Sequence, residues 1–73
     1  MNDEALRSRI GCKLRKLRIE NGMSIRQLSE LTGVNHSNIS AIENGKYNAR
    51  LDTCEKFEKV FNVKFDLISN ENM

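Results

Sequence analysis

Seventy-three residues are expected to form one small domain, without a separate sensing or catalytic domain. The chain carries 12 Lys/Arg against 10 Asp/Glu, a net charge of +2, and lacks an apolar run near the ~18 residues a membrane span needs, so a soluble, cytoplasmic protein is expected. Two cysteines without C-x-x-C or zinc spacing, one histidine, and the absence of a nucleophile–base pair or glycine-rich phosphate loop argue against a disulfide framework, a metal site and catalysis.

The charge is unevenly placed. Residues 1–50 hold nine Lys/Arg and five Asp/Glu, a net of +4, whereas residues 51–73 hold three and five, a net of −2. A basic front half suits a polyanionic partner and an acidic tail avoids one, although ordinary scatter of surface charge gives a similar imbalance. Domains of this size bury only about 60% of their unfolded surface, and association between copies is a common remedy.

Residues 1–4 are expected to fray. A first helix is predicted over Ala5–Glu20, where Leu6, Ile10, Leu14 and Leu17 form one apolar stripe. Arg7, Arg9, Lys13, Arg15 and Lys16 lie off that stripe as solvated charges. Asn21-Gly22 closes the helix with a turn, and Met23 can staple the start of the next.

Ser24 and Gln27 form an S-x-x-Q capping box that opens a second helix, with Ile25, Leu28 and Leu31 on its apolar face. Gly33 can take the left-handed conformation of a helix end, Val34 supplies an apolar plug, and Asn35 can cap a third helix. Ile39 and Ile42 mark the inside of that third helix, and Gly45 stops it. Helix, tight glycine-containing turn, helix is a helix-turn-helix arrangement.

The outer face of the third helix holds Ser37, Ser40, Ala41 and Asn44, with His36 on the flank. These residues are small or polar and none is acidic. Such a face suits close approach to the DNA major groove, which admits a helix; a plain solvated face of a bundle is the alternative. Lys46-Tyr47-Asn48-Ala49-Arg50 follows, gathering two cations, a phenol and an amide beside that helix.

A fourth helix is predicted over Leu51–Phe61, with Leu51, Cys54, Phe57 and Phe61 inward, Asp52 suited to the first-turn dipole, and Asn62 as terminator. Phe61, Val63, Phe65 and Leu67 then alternate with polar residues, which is a strand signal, although Phe61, Phe65 and Ile68 also fit a short fifth helix. Residues 69–73 read as a polar, mobile end.

The pieces LRKLRIENGMS, LSELTGV, ISAIENGK and LDTCEKFEKVFNV, spread from Ile10 to Val63, resemble the Xre/Cro family of phage-repressor-like DNA-binding domains in order and spacing. The resemblance implies an all-α, compact bundle of four or five helices whose third helix enters the major groove. It also implies an ion pair between Arg18 and Glu43. Where many family members place Gln after the second-helix cap this chain has Ile25, and where Pro-Ser often precedes the fourth helix it has Ala49-Arg50.

The expected function is a sequence-specific double-stranded-DNA-binding transcriptional regulator, of the repressor kind. Base contacts are assigned to His36, Ser37, Ser40 and Ala41, and phosphate contacts to Arg26, Asn38, Asn44, Lys46, Tyr47 and Arg50. No cofactor, metal or small-molecule ligand is expected. The reading face lacks Arg and Gln, so a two-fold homodimer on a palindromic operator is expected, joined through residues 61–68 by Phe61, Val63, Phe65 and Leu67 as an added strand. The alternative is an antitoxin-type module that neutralises a partner toxin and represses its own operon, a subgroup the strand-like C-terminus resembles.

Overall fold

The computed structural model describes residues 3–47 and 49–65. They form four helices: α1 over Asp3–Glu20, α2 over Ile25–Thr32, α3 over His36–Glu43 and α4 over Leu51–Phe61. Helix α3 packs against both α1 and α2, and α2 also packs against α4. The short α2 and α3 are therefore framed by the two longer helices.

The core is Ile10, Leu14, Leu28, Val34, Ile39, Ile42, Cys54, Phe57 and Phe65. Leu14, Leu28, Ile39, Ile42 and Phe57 are wholly inside, each side chain contributing about 1.5–3 kcal/mol by leaving water. Every element thus supplies at least one anchor.

Local chemistry fixes the helix ends. The α1 helix closes as Gly22 N–H bonds to the Ile19 carbonyl and Met23 N–H to that of Arg18, the paired bonds of a Schellman end. At α2, Ser24 Oγ accepts from Gln27 N–H at 3.0 Å while Gln27 Oε1 accepts from Ser24 N–H at 2.8 Å, so two orphan donors are satisfied reciprocally. Helix α4 has no side-chain cap at Arg50, consistent with the Ala49-Arg50 sequence there.

Three sequence expectations are corrected. Leu31 is 60% exposed. At about 100° per residue, Ile25 and Leu31 flank Leu28 by 60° on opposite sides, and only Ile25 reaches the core. Leu51 is 69% exposed, because it lies on the far edge of the stripe centred between Cys54 and Phe57. The third correction concerns the predicted strand. No strand occurs among the described residues: Phe61 ends α4, Asn62 is left-handed at φ 56°, and residues 63–65 are irregular. Leu67 and Ile68 lie outside the described residues.

The physical reason for the third correction is tertiary. Val63 N–H bonds back to the Glu58 carbonyl, turning the chain across the end of α4. Phe65 then drops into the core, its N–H donating to Glu58 Oε2 at 2.6 Å. Lys13 Nζ lies 5.7 Å from the Phe65 ring centroid and donates to the Lys64 carbonyl, a cation–π arrangement that ties this segment to α1. Of the residues expected to form an added strand, Phe65 lies within the protomer's own core and Phe61 and Val63 lean on it.

Candidate nucleic-acid interface

The site is built on α3 and the turn before it. Gly33, at φ 78° and ψ 5°, reverses the chain with its N–H on the Ser29 carbonyl, a conformation that costs a side-chain-bearing residue strain. Ser29 Oγ donates to the Val34 carbonyl at 2.6 Å, and Val34 N–H donates to Thr32 Oγ1. Asn35 Oδ1 accepts from Ser37 N–H at 2.7 Å and starts α3. Polar atoms of α2 thus hold the turn that aims α3.

With Ile39 and Ile42 fully buried, the opposite side of α3 is fixed outward. His36, Ser37, Asn38 and Asn44 are exposed, and Ser40 and Ala41 are half-buried. Asn44 Nδ2 donates to the Ser40 carbonyl at 2.8 Å, so part of its amide is engaged within the helix. His36, Ser37 and Ser40 share with Ile25 and Arg26 an open hollow of about 640 Å³ between the start of α2 and the first turns of α3. Ile25 departs from the family's pattern in sequence, and its place in this hollow depends on how α2 and α3 meet.

The far end of α3 closes with Gly45 N–H on the Ile42 carbonyl and Lys46 N–H on that of Ala41. Lys46, Tyr47 and Arg50 are exposed beyond it. Arg50 Nε lies 3.9 Å from Asp52 Oδ1, with both side chains mostly in solvent, a pair worth little. Helix α1 supports this end from behind. Arg18 Nε donates to Glu43 Oε2 at 2.7 Å, its Nη2 to Glu43 Oε1 at 3.0 Å and its Nη1 to the Met23 carbonyl at 2.8 Å. The bond to Glu43 raises the Arg18 pKa further above its ordinary value, against an opposing desolvation.

Two supports went unread in the sequence. Arg7 Nε donates to the Gly45 carbonyl at 3.2 Å. At Gly11, α1 and α3 touch backbone to backbone: a Cβ built there would stand 2.2 Å from the Ile42 carbonyl oxygen. A glycine within a strongly patterned helix was the available signal, since its cost in helix stability implies a close approach.

The helix-turn-helix family model HTH_3 matches residues 14–68. The chain belongs to the HTH_3 helix-turn-helix family. It is 35% identical over 71 residues to the HTH-type transcriptional regulator PuuR of Escherichia coli (strain K12), an alignment covering 97% of this chain and 37% of that protein. An uncharacterized HTH-type transcriptional regulator of Archaeoglobus fulgidus is 33% identical over 54 residues, 74% of this chain and 77% of that one. The crystal structure of an HTH_3 family transcriptional regulator from Vibrio cholerae superposes with a TM-score of 0.81 at 27% identity, covering 86% of this chain and 35% of the other. The chain therefore spans about a third of the length of PuuR and of the Vibrio protein. DNA-binding transcription regulation is the function class of this HTH_3 domain. Among the described residues no helix is long and apolar enough to cross a membrane, and no His/Cys/Asp/Glu group is placed to hold a metal.

Proposed function

We propose that this HTH_3 domain represses transcription by sequence-specific binding to double-stranded DNA, as a homodimer on a palindromic operator. The observation that carries this is the outward face of α3: small, polar, non-acidic and rigidly backed by the buried Ile39 and Ile42. His36, Ser37, Ser40 and Ala41 read base edges. Arg26, Asn38, Asn44, Lys46, Tyr47 and Arg50 hold phosphates, which sets register without selecting sequence.

The face carries no Arg or Gln, whose bidentate pairings with guanine and adenine are worth about 1–3 kcal/mol each. Two half-sites compensate for that weakness, and a palindrome mirrors a two-fold protein. We place the contact between copies at the C-terminal segment 61–68, through Val63, Leu67 and the exposed side of Phe61, with Phe65 held in the core of each protomer.

Selection of bound duplexes from a random DNA pool tests the proposal. It predicts an enriched motif with two inverted half-sites whose centres lie about 34 Å, one DNA turn, apart. Absence of any enriched motif would refute sequence-specific reading.

A further inference from the structure

Among the described residues, Ile25 is the one aliphatic side chain lining the hollow between α2 and α3, and its companions Arg26, His36, Ser37 and Ser40 are all polar. None is acidic. Ile25 is half-buried, with part of it packed against the core and part lining the hollow. An aliphatic surface ringed by hydrogen-bonding groups matches an edge on which a methyl group stands beside a polar acceptor. Of the four base edges in the major groove, thymine alone presents that combination, its C5-methyl next to O4. Cytosine offers a donor there and no methyl.

We propose that Ile25 is a sequence-reading residue. It packs on the C5-methyl of one thymine per half-site, while a side chain of the first turns of α3, Ser37 or His36, donates to that base's O4. Helix α2 then contributes to base selection as well as to the support of α3. The inference rests on the DNA-reading function proposed above, and it names the base class that the hollow selects.

The test uses the intact chain and a duplex selected by it. Each thymine is replaced in turn by deoxyuridine, which removes the methyl and preserves O4. Binding is followed by fluorescence anisotropy at fixed salt, for wild type and for Ile25→Ala. At one position per half-site the wild type is expected to lose roughly fourfold in affinity, the value of one buried methyl-sized group, and Ile25→Ala to bind both duplexes equally there. Wild-type indifference to deoxyuridine at every position overturns the proposal. So does full thymine preference in Ile25→Ala, which would assign the methyl contact to Ala41. The wild-type arm needs no variant, so it decides the matter even if Ile25→Ala folds poorly. Failure of the DNA-reading function itself looks different: no salt-dependent binding to any duplex.

Discussion

Arg18 and Glu43 meet through two parallel hydrogen bonds, 2.7 and 3.0 Å long, across 25 residues of sequence. Their side chains are 13% and 4% exposed, so the pair is largely withdrawn from water. A planar guanidinium matched to a carboxylate fixes orientation as well as distance. The third Arg18 bond, to the Met23 carbonyl, adds the α1–α2 turn to the same clamp. Arg18→Ala or Glu43→Gln is expected to cost about 2–3 kcal/mol, because the remaining group is left buried and unpaired. A double-mutant cycle by denaturant unfolding measures the coupling, and a value near zero would mean two independent charges.

Gly11→Ala should destabilise the fold, reversing the usual sign. In an open helix alanine is better than glycine by about 0.5–1 kcal/mol. Here its methyl would meet the Ile42 carbonyl oxygen at 2.2 Å and the Glu43 carbonyl oxygen at 3.0 Å. Backbone atoms cannot swing aside, so α1 must move off α3. The expected net loss is about 2 kcal/mol or more in thermal or denaturant melts, with weaker operator binding because α3 loses its backing. A melt equal to or above wild type would contradict the close approach.

The two thiols should differ in reactivity. Cys12 is exposed and Cys54 is buried, and burial pushes the Cys54 thiol up, with Glu58 and Asp52 adding to the rise. The thiolate is the reactive form, so a thiol reagent at mildly alkaline pH should label Cys12 quickly and Cys54 only on unfolding. The linked stability follows in sign. A folded pKa above the unfolded one favours the neutral thiol in the native state. That contribution is complete below the unfolded thiol pKa and is lost as pH rises through the folded one. Two equally fast labelling phases would contradict the burial of Cys54.

Lys46→Ala should weaken binding to all duplexes and flatten the plot of log K against log salt by roughly one unit, as expected for one lost phosphate contact. Arg50→Ala should act in the same direction; its weak pairing with Asp52 at 3.9 Å leaves its charge available. An unchanged affinity and slope in the Lys46 variant would remove the loop from the interface.

The helix boundaries around the reading helix could be read from sequence because they rest on local chemistry. Ser24 and Gln27 cap each other, and Asn35 caps α3 with its own side chain. The C-terminal segment could not, because the alternation of Phe61, Val63 and Phe65 reads as a strand, with a short fifth helix as the rival, and neither reading registers a tertiary partner for so few residues. What decides it is the carboxylate of Glu58, which takes the Phe65 N–H, and the core space that receives the ring. Leu31 and Leu51 read as inward because periodicity gives a stripe but not its width. The candidate interface was legible as a composition on one face of α3. The supports at Gly11 and Arg7, and the hollow that Ile25 shares with His36 and Ser37, depend on how separate helices meet.

The central claim is that the outward face of α3 selects DNA sequence while the cations around it only hold the backbone. Parallel selections from one random DNA pool, with wild type and with Ser37→Ala, test it most directly. Ser37 is exposed, so its loss should leave the fold intact. The account predicts that the two proteins enrich motifs differing at the same position in each half-site, with the same spacing and the same salt dependence. Identical motifs from both proteins would contradict it.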